Sequence, residues 1–311
     1  MGDPGTVVVA SHWGRSSELA FATRTIAGAA SRLGPVSVLV PAPAGTCQAD
    51  GAFDLVGMDD DGRYRWPDDV PRDGTVLVDE VTPEIATLVA ETRPRASFTM
   101  GPSIGRLETT WRRIPLAPGE GRPFVGLHVP VHPMAAEHRH GGFGFTGYLL
   151  VLSDRPEASE EPPAAAAWLT AAFHDTYVVV IEGATAWAWR GRSLRGASHV
   201  DTRIDLWRLV AHASLCVDLA PGGLIARECV EALRFGTPIM VPRGSGVAAV
   251  HATASGGCTF GDFGELVTRA AALRDESRRA RASALASRYA DAHYGDPAAL
   301  VARLDALWHA G

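Results

Sequence analysis

Short apolar runs alternate with amphipathic stretches of helical spacing along almost the whole chain. The runs at 6–10, 36–40, 53–58, 75–78 and 96–100 are brief, and the first, second and fourth are rich in valine, as buried strands are. Between them, 18–33 predicts a helix ended by Gly34, and 83–91 predicts a second. A strand, a helix and another strand in that order imply a parallel sheet with right-handed crossovers. The second half repeats the alternation. Strands are expected at 148–153, 177–181, 214–219 and 239–241, and a short one with a charged turn at 187–192. Helices are expected at 164–173, 203–213, 265–293 and 297–308, the one at 203–213 burying Ile204, Leu206, Val210 and Ala211. Between the two series, 108–147 carries proline and glycine and reads as a linker between two α/β domains.

One stretch gathers the most structure into the fewest residues. The strand 214–219 ends at Pro221-Gly222-Gly223, and a helix of about three turns follows. Ile225, Cys229, Ala232 and Leu233 share its apolar face; Gly236 stops it and Pro238 cannot continue it. A glycine turn feeding a helix N-terminus offers unpaired N–H groups and a favourable dipole to an anion. The plainer reading also stands: the glycines only make a turn, and Arg227–Glu231 is a surface pair four residues apart.

Composition narrows the choice. The 311 residues suffice for two domains, and 46% hydrophobic with 21% charged residues is a globular balance. A net charge of −6 gives a nucleic-acid partner no electrostatic support. Arg274, Arg278, Arg279 and Arg281 are interleaved with Asp275 and Glu276, as on a solvated helix face. The four cysteines form no C-x-x-C pair, which suits reduced thiols in the cytoplasm. No apolar run is long enough for a transmembrane helix, and Gly2-Asp3-Pro4 does not read as a signal region. His128, His132, His138 and His140 fall in the linker without helical spacing or a cysteine, so no metal site is expected. In open α/β sheets ligands bind at the carboxyl ends of strands. In the first domain that places His12, Gly14, Arg15, Ser16 and Ser17 after the first strand, and Gly101, Pro102 and Ser103 after a later one.

The order Glu231-Ala232-Leu233, then Gly236 and Pro238-Ile239, resembles the "E-A-hydrophobic-A-x-G-x-P-V" segment of nucleotide-sugar glycosyltransferases of the GT-B fold, especially the retaining family-four enzymes. Asp218-Leu219-Ala220-Pro221 stands where that family has strand-Pro-Ser. Pro242-Arg243-Gly244-Ser245-Gly246 stands where it has a glycine-rich loop near the donor, and Gly126-Leu127-His128-Val129-Pro130-Val131 resembles the entry into its second domain. The resemblance covers 145–300 well and 1–130 only in general layout.

It implies two Rossmann-like α/β domains facing each other across a cleft, the N-terminal one reduced in size. The expected boundaries are 1–125 for the acceptor-side domain, 126–147 for the hinge, 148–295 for the nucleotide-sugar-binding domain, and 296–311 for a last helix packing back on the first. It also implies a hexosyltransferase that takes an NDP-sugar to a small-molecule or glycan acceptor with retention and without a metal. Donor-side residues would be Arg155, Gly222, Gly223, Leu224 and Glu231, and the acceptor-side loop His12, Gly14, Arg15 and Ser16. No catalytic side chain is identified.

The chain also departs from the pattern. The family's first glutamate falls on Gly223, the lysine expected about five positions after Arg155 falls at Glu160 or Glu161, and no histidine follows 96–100. Each charge-assisted contact to a leaving diphosphate is worth roughly 2–4 kcal/mol, so two losses slow transfer by on the order of 1000-fold unless replaced. Arg15, Arg190, Arg192 and Arg195 are candidate replacements. The alternatives are a GT-B pseudoenzyme that binds a nucleotide or a partner protein, and a sheet enzyme acting on phosphate esters or nucleotide sugars. The last has no P-loop, G-x-G-x-x-G, G-x-S-x-G or H-E-x-x-H behind it.

Overall fold

The structure is a computed structural model and describes residues 5–11, 18–41, 54–56, 64–68, 70–90, 92, 94–100, 111–116, 118, 124–127, 143, 145–153, 164–200, 203–219 and 224–309. The chain divides into two compact units, one of residues 1–128 with 296–311 and one of residues 129–295.

In the first unit the short apolar runs become β1 (Thr6–Val9), β2 (Val36–Pro41), β3 (Asp54–Val56), β4 (Thr75–Val78) and β5 (Ala96–Thr99), joined by β6 (Trp111–Arg113). All pair in parallel, in the order β3-β2-β1-β4-β5-β6. Helices α1 (Glu18–Ala30) and α2 (Pro83–Ala90) are the crossovers. Ile85, Leu88 and Val89 of α2 close over Val7, Val9, Val76 and Val78. The strand β6 lies inside the stretch expected to be linker. Its Trp-Arg-Arg sequence carries no apolar alternation, because an edge strand of this length has little to bury.

The second unit is built on β7 (Tyr148–Leu152), β8 (Tyr177–Glu182), β9 (Thr185–Arg190), β10 (Ser193–His199), β11 (Ala213–Asp218), β12 (Ile239–Pro242) and β13 (Cys258–Phe260). Their order is β10-β9-β8-β7-β11-β12-β13. From β8 to β13 the pairing is parallel; β9 runs antiparallel to both β8 and β10. Helices α3 (Ala164–Ala172), α4 (Arg203–His212), α5 (Arg227–Arg234), α6 (Gly246–Ala254), α7 (Phe263–Ala272) and α8 (Glu276–Tyr294) follow in sequence. The core of one sheet face gathers Leu149, Val151, Val178, Val180, Leu215, Val217 and Met240 under Leu169 and Leu266. The last helix, α9 (Pro297–His309), belongs to the first unit, buries Leu300 and Leu304, and packs against α1.

Several expectations are corrected. Helix α4 buries Leu206, Leu209 and Val210, whereas Ile204 is half exposed. Position 204 lies two residues from Leu206, about 200° around a helix, and so falls off the inward stripe. The run 265–293 is two helices: Leu273 ends α7, and the Asp275 side chain accepts a 2.9 Å hydrogen bond from the Arg278 amide to start α8. Helix α5 begins at Arg227 and spans eight residues instead of three turns. Ile225 and Ala226 are buried, and Ala226 has extended backbone (φ −61°, ψ 144°), so the chain reaches the core before it coils. The 187–192 segment belongs to a full hairpin, β9 and β10, and α6 and β13 were not anticipated. Gly236 does stop α5, with φ +75°, and a Cβ there would stand 2.7 Å from Ser287 Oγ.

Candidate functional site

Each sheet reverses its direction of growth once among its parallel strands, and in open α/β sheets ligands bind outside the carboxyl ends of the two strands at that switch point. In the first sheet the switch lies between β1 and β4, and in the second between β7 and β11. The second is the better furnished among the described residues. At the end of β7, Ser153 Oγ donates to Glu182 Oε1 (3.3 Å), which closes β8 and is buried. At the end of β11, the Cys229 thiol of α5 donates to Asp218 Oδ2 (3.6 Å), both side chains being buried. A hydrogen bond with Cys216 that favours the protonated thiol, then burial, then the charge of Asp218 push Cys229 well above the usual thiol range. It stays a thiol at neutral pH and is no nucleophile.

Helix α5 starts immediately beyond this edge. Its N-cap, Ala226, makes no side-chain cap bond. Alanine is among the poorest caps, because it has no side-chain acceptor to offer the first amides. Within the helix, Arg227 Nε donates to Glu231 Oε1 at 3.0 Å. The two ends of the pair differ sharply, for a third of the Arg227 side chain is exposed and none of that of Glu231. A cation in the first helical turn opposes the dipole by about 0.3–1 kcal/mol. An unpaired buried carboxylate costs several times more, so the buried glutamate decides the arrangement and draws the guanidinium to it. This is the i,i+4 pair the sequence suggested, but it is not a surface pair.

A second charged group lies beyond β12. Glu265 Oε2 accepts from the Gly261 amide (2.7 Å) and from Arg243 Nη2 (2.5 Å), and Oε1 accepts from Arg269 Nη2 (2.7 Å). The Arg269 bond first, then the Gly261 amide, hold this carboxyl below its usual range. Ser245, which precedes α6, is buried and its Oγ has no partner among the described residues. The sequence placed the segment 242–246 near the donor without giving Arg243 or Ser245 a role, and it did not single out Glu265, whose partners lie across loops that no periodicity reports.

Among the expected site residues, Leu224 and Glu231 are described. Arg155, Gly222, Gly223, His12, Gly14, Arg15 and Ser16 lie outside the described residues, as do Ser17, Gly101, Pro102, Ser103 and His128, His132, His138 and His140. Glu231 stands four residues after the start of α5, about 6 Å along it, and not two turns in as a longer helix required. Arg190 and Arg192 do not serve the carboxyl edge: Arg190 pairs with Tyr177 at the amino end of β8, its guanidinium 5.2 Å from the Tyr177 ring centroid. Among the described residues no group of three or more His, Cys, Asp or Glu side chains could hold a metal ion. No described helix is long and apolar enough to cross a membrane.

Neither a protein-family profile nor a curated protein sequence matches the chain. Solved structures do. HepE (Alr3699) of Anabaena in complex with UDP matches over 99% of this chain and 100% of its own, at 13% identity and a TM-score of 0.60. WaaG, a glycosyltransferase involved in lipopolysaccharide biosynthesis, matches over 98% and 100%, at 14% identity and a TM-score of 0.55. Sucrose-phosphate synthase of Thermosynechococcus elongatus matches over 98% of each chain, at 10% identity and a TM-score of 0.55. The class is therefore defined by fold: the chain has the GT-B fold of two Rossmann-like domains.

Proposed function

We propose that the chain is a glycosyltransferase that moves a sugar from an NDP-sugar to a small-molecule or glycan hydroxyl, with retention and without a metal. The observation that carries this reading is the switch point between β7 and β11, with the uncapped start of α5 just beyond it. The helix dipole and the Arg227 cation favour an anion there, against the Glu228 carboxylate of the same turn. Gly222, Gly223 and Leu224 lead into that helix, Arg155 follows β7 in sequence, and Glu231 is assigned to the ribose. His12, Gly14, Arg15 and Ser16 follow β1 and are assigned to the acceptor side.

In the transfer, the bond from the anomeric carbon to the diphosphate oxygen breaks and one to the acceptor oxygen forms on the same face. The electron pair leaves with the diphosphate, and the acceptor proton passes to that departing oxygen. The protein's part is to hold the growing negative charge with fixed dipoles and cations. HepE crystallised with UDP-glucose, a donor of this class, shares the fold at a TM-score of 0.58.

A second reading, a nucleotide-binding or partner-binding subunit without transfer, is favoured by Gly223, Glu160 and Glu161 standing where the resembling family has charged donor ligands of other kinds. One experiment separates the two. A panel of UDP-, GDP- and TDP-sugars is incubated with the protein in EDTA, with hydrolysis followed by release of the diphosphate and binding by calorimetry. The proposal expects one donor to bind and to be slowly hydrolysed. Binding without release selects the second reading, and absence of binding to every nucleotide contradicts both.

A further inference from the structure

We infer that the amino edge of the second sheet binds a small apolar monocarboxylate, with Arg279 as the ligand of its charge. The site is separate from the proposed donor site and does not rest on that reading.

Two adjoining hollows, of about 220 and 400 Å³, lie at the amino ends of β7, β11 and β12. They share Gly147, Ser214 and Arg279. The strands from this edge to the switch point run five and six residues, which sets the hollows roughly 16–20 Å from the carboxyl edge. The narrower hollow is walled by Leu149, Phe173, Leu215 and Leu273 and suits an apolar body. The wider one, lined in part by Phe235, Pro238 and Ala280, falls within the roughly 300–1,000 Å³ of small-molecule sites.

Charge decides what belongs there. Arg274, at the narrower hollow, is committed to Asp175 (2.6 Å) and lies 5.6 Å from the Phe173 ring centroid. Arg279, common to both hollows, is half-buried, and its guanidinium makes no hydrogen bond or ion pair among the described residues. The half-buried Ser283 hydroxyl, four residues on along α8 and so on the same face, has no partner among them either. An unpaired guanidinium drawn partly out of water is destabilising, and a carboxylate bound through two parallel N–H···O bonds offsets that cost. The helix does not offset it, because a cation in the first turn of α8 opposes the dipole. Glu276, exposed in the same turn and lining the wider hollow, makes no ion pair with Arg279. Its carboxylate repels a second negative charge on the ligand. One cation and one hydroxyl beside a repelling carboxylate therefore favour a monoanion over a phosphate dianion.

The test is calorimetry with hexanoate and phenylacetate, their neutral counterparts 1-hexanol and 2-phenylethanol, and inorganic phosphate. Wild type is expected to bind at least one acid saturably, and more tightly than its alcohol and than phosphate. In Arg279→Gln that acid should weaken by about 10- to 100-fold and its alcohol by no more than about twofold. Arg279→Lys keeps the charge without the planar fork and should fall between. Ala280→Trp, at an exposed position of α8, fills the wider hollow and should abolish binding of acid and alcohol alike. The inference is overturned if neither acid binds saturably, if the acid binds no more tightly than its alcohol, or if Arg279→Gln leaves its affinity unchanged. Phosphate bound as tightly as the acid overturns the assignment to a monocarboxylate. Displacement of the acid by UDP, GDP or TDP puts it in the donor site and overturns the inference as well.

Discussion

Glu231 is a carboxylate with no exposed surface, and it shares one oxygen with the guanidinium of Arg227. Its assignment to the ribose makes a prediction separable from the diphosphate. Nucleosides lack phosphate, so they report the ribose contact alone. Glu231→Gln should weaken the bound nucleoside by about 1.5–3 kcal/mol, the worth of hydrogen bonds to a charged acceptor, and leave its 2′,3′-dideoxy analogue unchanged. Calorimetry checks this, and equal losses for both ligands would remove Glu231 from the ribose. The sequence made this pair legible as a pair, since residues four apart on a helix are neighbours. It did not reveal the burial, because the same spacing serves a solvated stripe and a buried one. Ser153–Glu182 and Arg243–Glu265 were illegible for a different reason. Their members are 29 and 22 residues apart and meet only because parallel strands bring loop ends together.

Strands and helices were most legible where a buried face repeats. The strand Thr75–Val78 and the helix Pro83–Ala90 were recovered almost to the residue. The hairpin partner Ser193–His199 was not, since it lies at the sheet edge and is largely exposed, so nothing in its pattern marks an inside. The break between α7 and α8 was missed because no glycine or proline announces it; Asp275 makes it instead, through its bond to the Arg278 amide. That bond, followed by one from Ser277, holds the Asp275 carboxyl below the usual aspartate range. The sign follows directly. A carboxyl whose folded value is depressed stabilises fully above its unfolded value and loses that contribution as pH falls through the folded one. Asp275→Ala should therefore melt below wild type at pH 7, and the gap should close as the pH drops below about 4. Thermal melts across pH 2–7 check it. A gap that stays constant down to the lowest pH would show that the carboxylate is not what starts α8.

At the scale of the whole molecule, the sequence revealed two α/β series because each crossover needs a strand, a helix and a strand in order. It did not reveal strand order, which is settled by how the helices pack over the sheets. The order is what locates the site: β3-β2-β1-β4-β5-β6 in one unit and a switch between β7 and β11 in the other. The match to GT-B structures at 10–14% identity illustrates the same division, with fold retained where side chains are not. The central claim is that the second switch point holds the donor nucleotide. A crystal structure of the protein with the nucleoside diphosphate that binds it tests that claim most directly. The account predicts the diphosphate within about 3 Å of the first amides of the helix Arg227–Arg234, with the ribose toward Glu231. A nucleotide seated instead at the carboxyl ends of β1 and β4, with the start of that helix empty, would contradict it.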